Sequence, residues 1–81
     1  MFVNYKYNDA YCKAFGKQLR KLREGKGITM RKFAAEADIE YSQLSKIERG
    51  VTNTTISTVL VLAETLEVEV FELFKFKFTN K

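Results

Sequence analysis

At 81 residues the chain is long enough for one domain with a single core, but not for a second, separate domain. It holds no histidine and one cysteine, so metal binding and nucleophilic catalysis lack their usual side chains. A net charge of +4 at pH 7 favours an anionic partner. We therefore expect a single domain over residues 1–81, with a core at 9–74 and extended tails at 1–8 and 75–81. We expect no enzymatic activity, no metal and no cofactor.

The sequence carries no sign of export or membrane insertion. Its first nine residues, MFVNYKYND, lack the basic and then apolar pattern of a signal peptide. No apolar stretch approaches the roughly 20 residues that a membrane span requires. The single Cys12 excludes an internal disulfide and fits a reducing compartment. These features predict a cytoplasmic protein that does not enter a membrane.

The first predicted helix begins at Asn8 or Asp9, both good N-cap residues, and runs to about Glu24. Gly25 and Gly27 then end it. Apolar residues recur at intervals of four, four and three, which places them in one stripe on the helix. This stripe consists of Tyr11, Phe15, Leu19 and Leu22.

Residues 30–49, MRKFAAEADIEYSQLSKIER, have the residue pattern of a helix-turn-helix. Thr29 is expected to cap a second helix at 30–36, and a third helix at 41–49 is expected to end at Gly50. In the turn between them, Asp38 is one of the few residue types other than glycine that tolerate a left-handed backbone. The small Ala34 allows the two helices to approach closely. The residues expected to face the core are Phe33, Ala37, Ile39, Leu44 and Ile47.

The last third of the chain is more apolar. After a polar loop at 51–55, Thr54 or Thr55 is expected to cap a fourth helix at 56–66. That helix is apolar nearly all round, which predicts burial on several sides and possible contact with a partner subunit. Residues 67–74 predict a short fifth helix.

Both ends of the chain alternate aromatic or apolar residues with polar ones. The period of two at 74–78 and at 3–7 is typical of a half-buried strand. A lone strand cannot satisfy its backbone, so we expect these ends to pair, within one chain or across a dimer. The alternative is that the aromatic side chains of both tails fold onto the nearest apolar surface.

Charge is distributed unevenly along the chain. Residues 13–32 include eight basic residues and one acid, whereas 33–74 include eight acids and two basic residues. A basic segment followed by an acidic one suits a protein that presents one positively charged face to a polyanion. The alternative interpretation of the charge pattern alone is a solvated, lysine-rich helix.

From Phe15 to Phe74 the chain resembles the Cro/phage-repressor-like (Xre-type) helix-turn-helix family. The resemblance rests on Leu19–Arg23 (LRKLR), Gly27–Thr29 (GIT), Phe33-Ala34 and Leu44–Gly50 (LSKIERG), followed by the patterns at 56–66 and 70–74. It implies an all-α, five-helix, lambda-repressor-like DNA-binding domain whose third helix enters the major groove.

The resemblance also implies roles for individual residues. The expected base-contacting residues on the third helix are Tyr41, Ser42, Gln43 and Lys46, with Gln43 suited to adenine and Lys46 to guanine. The expected phosphate-contacting residues are Lys26, Thr29, Arg31, Arg49, Thr52 and Asn53. In the family, the positions of Arg23 and Glu48 form an ion pair that ties the first helix to the third.

Two departures from the family pattern concern the same surface. Met30 stands where the family often has a glutamine that helps to hold the DNA backbone and the third helix. Glu40 stands where serine or threonine would normally cap the third helix; it can still accept a hydrogen bond there, but it places a negative charge near the expected phosphates. The detailed DNA contacts of this chain are therefore expected to differ from those of the family.

We interpret the chain as a sequence-specific transcriptional regulator that binds double-stranded DNA as a homodimer on a two-fold operator. The apolar C-terminal part of the chain predicts a dimer contact through the fourth and fifth helices and the C-terminal segment. Three alternatives remain open at this stage. The same fold serves as an antitoxin that also binds a toxin, and as a controller of restriction–modification genes. The third alternative is a protein-interaction module that has lost DNA binding.

Overall fold

A computed structural model of the chain describes residues 8–78, which form helices joined by short turns. In order these are α1 (Asp9–Gly25), α2 (Met30–Ala37), α3 (Tyr41–Arg49), α4 (Ile56–Leu66) and a 3₁₀ helix, Val70–Phe74. The predicted all-α class is confirmed, and each α-helix ends within one residue of its predicted limits. The predicted fifth helix is present as a 3₁₀ helix. Within the described part, no helix is both long and apolar enough to cross a membrane.

Three of the four α-helices begin with a side-chain cap. Asn8 accepts a hydrogen bond from the Tyr11 amide at 2.8 Å, and Thr29 accepts one from Lys32 at 3.1 Å. Thr55, not Thr54, caps α4 by accepting from the Thr58 amide at 3.1 Å. Each such bond satisfies an amide that has no partner inside its helix.

The expected cap at Glu40 is not formed. Glu40 has the extended backbone of an N-cap residue, but its side chain makes no capping hydrogen bond. Its carboxylate is carried on a longer chain than that of aspartate, and only the shorter Ser, Thr, Asp and Asn reach the first-turn amides readily. The first turn of α3 therefore forms without a side-chain cap from its N-cap residue.

Left-handed residues end three of the helices. Asp38, with φ 58° and ψ 45°, follows α2 and takes the conformation expected of it. Gly50, with φ 72°, ends α3 as expected, and its amide donates to the Ile47 carbonyl oxygen at 3.1 Å. Glu67, with φ 59°, ends α4 in the same conformation, which the sequence does not predict because glutamate rarely adopts it.

The core lies where all five helices meet. α1 packs against α3 and the 3₁₀ helix, α2 packs against α3 and α4, and α4 packs against the 3₁₀ helix. The inward positions expected in α2 and α3 are buried, while Ile39 in the turn is half-buried. Burying these side chains removes apolar surface from water, which supplies most of the favourable free energy of folding. The core consists of Phe15, Leu19, Phe33, Ala34, Leu44, Ile47, Val59, Leu62, Ala63, Leu66 and Leu73.

α1 and α3 approach each other more closely than side chains would allow. A Cβ added to Gly16 would lie 2.5 Å from the carbonyl oxygen of Ile47 and closer still to that of Glu48. A Cβ on Gly50 would collide with the backbone of Lys13. The two glycines therefore let α1 lie directly against the C-terminal turn of α3.

α4 contributes to the core as expected, but only one of its faces is covered within the described residues, and contact of the other face with a partner subunit stays a prediction. Val59, Leu62, Ala63 and Leu66 are buried, but Ile56 is 88% exposed and Leu60 is 48% exposed. Within residues 8–78, no element covers the face of α4 that carries Ile56 and Leu60.

The C-terminal alternation does not produce a strand. Phe74 belongs to the 3₁₀ helix, and residues 75–78 have no strand pairing. Phe76 and Phe78 instead place their rings 5.3 and 4.8 Å from the Tyr11 ring, as in the alternative interpretation. Aromatic side chains spaced by two can reach one apolar surface without any partner strand, so the pattern does not distinguish the two arrangements. The similar pattern at 3–7 lies outside the described residues.

Candidate nucleic-acid interface

α3 has one buried face and one exposed face. Leu44 and Ile47 anchor the helix in the core with 0 and 2% exposure. The four residues expected to contact bases stand on the other side, all of them exposed: Tyr41, Ser42, Gln43 and Lys46. A helix held in this way presents a continuous row of polar side chains at a width that a major groove admits.

A buried ion pair fixes the C-terminal half of α3 to α1. The Arg23 Nε lies 2.7 Å from Glu48 Oε2, and Nη2 donates to Oε1 at 3.1 Å. The two side chains are 7 and 3% exposed. Arg23 also donates from Nη1 to the Ile28 carbonyl oxygen at 2.7 Å, so the same guanidinium holds the turn before α2.

The hydrogen bond with Glu48 raises the pKa of Arg23 above its ordinary value, against the opposing effect of burial. Arginine is protonated at any physiological pH in any case, so the Arg23 guanidinium is permanently charged. Such a bidentate pair has a defined geometry as well as a favourable energy. The exposed face of α3 is thereby set at one orientation relative to α1.

The first turn of α2 lies beside the first turn of α3. Thr29 is the cap of α2, and its exposed hydroxyl remains beside the helix N-terminus, where anions are favoured. The Arg31 guanidinium carbon lies 4.8 Å from the centre of the Tyr41 ring. The structure therefore joins one expected phosphate contact to one expected base contact. Met30, which replaces the family glutamine, is partly buried against the core.

The remaining expected phosphate contacts lie in two loops and at the end of α3. Lys26 is exposed in the turn after α1, and Arg49 donates from Nε to Ser45 Oγ at 3.1 Å. Thr52 and Asn53 follow Gly50 in the loop before α4, where the Thr52 hydroxyl donates to the Asn53 carbonyl oxygen at 3.3 Å. Asn53 Oδ1 in turn accepts a weak hydrogen bond from Cys12 Sγ at 3.7 Å.

Ion pairing separates the cations into two sets. Among residues 8–78 the carboxylates pair with Lys13, Arg20, Arg23, Lys32 and Lys75. The four cations on the expected DNA contacts have no carboxylate within 4.0 Å in that part of the chain: Lys26, Arg31, Lys46 and Arg49. Unpaired cations leave their charge available to an external anion. Lys17, Lys21 and Lys77 likewise have no carboxylate within 4.0 Å among the described residues. They border a separate groove between α1 and residues 75–78.

Some residues that shape this surface were not predicted from the sequence. Gly16 allows the close approach of α1 to α3, and an isolated glycine inside a helical pattern is a signal that could have indicated it. The Arg31–Tyr41 contact and the Cys12–Asn53 contact join residues in different elements, and no spacing pattern predicts them. Across residues 8–78 no cluster of three or more metal-ligating side chains occurs.

Comparison with known proteins places this arrangement in a family. A family model described as helix-turn-helix matches residues 19–73. The HTH-type transcriptional regulator SlrR of Bacillus subtilis is 43% identical over 60 residues, which cover 73% of this chain and 40% of SlrR. The chain thus spans two fifths of the length of that regulator.

Two solved structures show the same fold. The restriction-modification controller protein C.AhdI of Aeromonas hydrophila superposes with a TM-score of 0.79 at 35% identity, covering 80% of this chain and 98% of C.AhdI. SinR, described as a master regulator for biofilm formation and solved in complex with DNA, superposes with a TM-score of 0.71 at 31% identity. That match covers 75% of this chain and 98% of the SinR chain.

Proposed function

The chain belongs to the helix-turn-helix family, and from that membership we propose that it is a cytoplasmic DNA-binding transcriptional regulator that acts as a homodimer on a two-fold operator. In this proposal α3 lies in the major groove. Tyr41, Ser42, Gln43 and Lys46 face the bases, while the turns around α2 and after α3 contact phosphates. The domain carries out no catalysis.

One observation carries the proposal: the residues expected to contact DNA are exposed on one side of a helix that the core and a buried ion pair hold rigidly. Leu44 and Ile47 fix the inner face of α3, and Arg23 fixes Glu48. A preorganised helix loses little conformational freedom on binding, which favours specific recognition. The solved complex of SinR with DNA supports the same use of this fold.

The unpaired cations predict strong salt dependence. Lys26, Arg31 and Arg49 would neutralise about three phosphates in each protomer, hence about six in a dimer. Because bound cations release counterions from DNA, the logarithm of the affinity should fall with the logarithm of salt concentration with a slope of roughly −5. A protein–protein interaction module would form no DNA complex whose affinity falls with salt concentration in this way.

We place the dimer contact on the exposed apolar side chains of α4 and the 3₁₀ helix. Ile56 is 88% exposed and Phe71 is 59% exposed. Leu60 lies one turn from Ile56 on α4. One recognition helix reads only a few base pairs, so two copies about 34–36 Å apart are needed for a specific site. Leu60→Lys should lower the dimer fraction in sedimentation experiments, whereas Glu36→Lys, at an exposed position on α2 away from the proposed contact, should leave it unchanged.

The proposed function is tested by selecting bound DNA from a random pool. We expect a two-fold symmetric sequence, bound in a salt-sensitive complex. Lys46→Ala should then relax the preference at one position in each half-site, at a cost of about 1–3 kcal/mol for the preferred base. Lys26→Ala should instead weaken binding to every sequence alike. A wild-type chain that selects no sequence and forms no salt-sensitive complex would refute DNA regulation and favour a protein-interaction module.

A second candidate function is the control of restriction–modification genes. It is favoured by the match to C.AhdI, which extends over 98% of that controller protein. The selected operator distinguishes the two: a controller's site should lie upstream of adjacent endonuclease and methyltransferase genes. A site upstream of unrelated genes would favour a general regulator.

A further inference from the structure

We infer that Arg31 is a positioning residue for base recognition: its guanidinium holds the Tyr41 ring, so that a phosphate contact made by α2 determines how α3 reads one base. The inference rests on the proposed function. It assigns Arg31 a role beyond that of a simple phosphate contact, and it makes Tyr41 dependent on a residue of another helix.

Tyr41 needs an external support because of its place in the chain. It is the first residue of α3, and among the α-helices of residues 8–78 α3 alone has an N-cap residue whose side chain makes no capping hydrogen bond. Its side chain is 44% exposed, so the core does not fix the ring. A ring at this position has freedom to turn unless a neighbouring side chain restricts it.

Arg31 supplies that restriction. Its guanidinium carbon lies 4.8 Å from the Tyr41 ring centre, inside the range of about 6 Å over which a cation and an aromatic face attract each other. Within residues 8–78 no carboxylate lies within 4.0 Å of it, so no ion pair competes for the guanidinium. The first turn of α2 that carries Arg31 is itself fixed by the Thr29 cap.

The two roles of Arg31 are compatible because guanidinium is planar. Its face can lie on the Tyr41 ring while the N–H groups at its edge remain free to donate to a phosphate. A phosphate bound at that edge would hold the guanidinium plane, and hence the ring beneath it. Lysine would keep the positive charge but has no planar group to lie on a ring, which makes Arg31→Lys the informative substitution.

The test compares Arg31→Lys with Arg49→Lys. Both replace an arginine at an expected phosphate contact, and of the two only Arg31 lies over an aromatic ring of the described residues. Each protein is used to select DNA from the same random pool. We expect Arg31→Lys to change the relative preference at one position of each half-site by about 2- to 5-fold, with a nearly unchanged salt slope. Arg49→Lys should leave the profile of preferences unchanged. In the Tyr41→Leu background, Arg31→Lys should have no further effect on that position.

Failure of the inference and failure of the proposed function are distinguishable. If the wild-type protein selects a sequence and Arg31→Lys selects it with the same preferences, Arg31 does not position Tyr41. If the wild-type protein selects no sequence, the proposed function itself fails. The ring-proton resonances of Tyr41 in the free protein provide a measurement that does not involve DNA. They should move in Arg31→Lys and stay in place in Arg49→Lys, and unmoved resonances in both would show that the ring is not held.

Discussion

Replacement of Arg23 should lower the stability of the fold more than most single substitutions at the interface between α1 and α3. Arg23 makes two hydrogen bonds to Glu48, at 2.7 and 3.1 Å, and one to the Ile28 carbonyl oxygen at 2.7 Å. In Arg23→Ala the Glu48 carboxylate, 3% exposed, would stay buried without a cation. Uncompensated burial of this kind costs about 3–5 kcal/mol.

That loss is large relative to the total stability of a small domain, which is about 5–15 kcal/mol. With a shift of about 4–8 °C per kcal/mol for a chain of this size, the melting temperature should fall by roughly 12–40 °C. The measurement is thermal and urea unfolding followed by far-ultraviolet circular dichroism. Arg20→Ala is the matched control, because Arg20 pairs with Glu24 at 3.5 Å on the same helix with side chains that are 58 and 60% exposed. An exposed pair of this kind contributes about 0–1 kcal/mol.

A second variant keeps the prediction testable if Arg23→Ala does not fold. Replacing both partners, as in Arg23→Met with Glu48→Leu, removes the uncompensated charge and should recover most of the lost stability. The double variant should nevertheless bind DNA less specifically, since apolar contacts do not reproduce the bidentate geometry that orients α3. The reasoning is refuted if Arg23→Ala loses no more stability than Arg20→Ala.

Three further predictions concern other positions. Gly16→Ala should destabilise the fold by about 1–3 kcal/mol in urea unfolding, because the added Cβ would meet the backbone of α3. Gly25→Ala is the control: a Cβ there has no atom within 4 Å, so this variant should be neutral or stabilising. Glu67→Gly should stabilise the fold by about 0.5–1 kcal/mol, because glycine adopts the left-handed backbone at φ 59° without strain. Glu64→Gly, inside α4, should instead destabilise the fold by about 1 kcal/mol, and equal effects of the two variants would contradict the argument. Burial raises the pKa of the Cys12 thiol above its ordinary value of 9.0, so the unfolded chain loses this proton at a lower pH than the folded chain. The stability that the thiol contributes is therefore fully present below pH 9.0 and is lost as the pH rises through the higher pKa of the folded state. The stability of wild type relative to Cys12→Ser should therefore fall in alkaline solution, and a difference independent of pH would contradict this.

Local patterns in the sequence were enough to predict the helices and the motif. The spacing of Phe15 and Leu19 follows from the 3.6-residue period of a helix, and Thr29 and Gly50 mark ends because capping depends on residues three or four apart. The exposed row on α3 follows in the same way once Leu44 and Ile47 are assigned to the core. These are properties of short segments, so they do not require knowledge of how the helices cross.

The environment of each candidate residue was decided by tertiary structure. The resemblance paired Arg23 with Glu48, but only the fold shows that this pair, 25 residues apart in the chain, is buried. Removing one partner alone therefore costs about 3–5 kcal/mol, and not the roughly 0–1 kcal/mol of an exposed pair. The Arg31–Tyr41 contact arises because two helix N-termini lie side by side. The alternating aromatics after Phe74 were consistent with a strand or with packing onto α1, and Tyr11 decided between them by offering an apolar surface. Sequence spacing determines which residues share a face, whereas the crossing of the helices determines what that face meets.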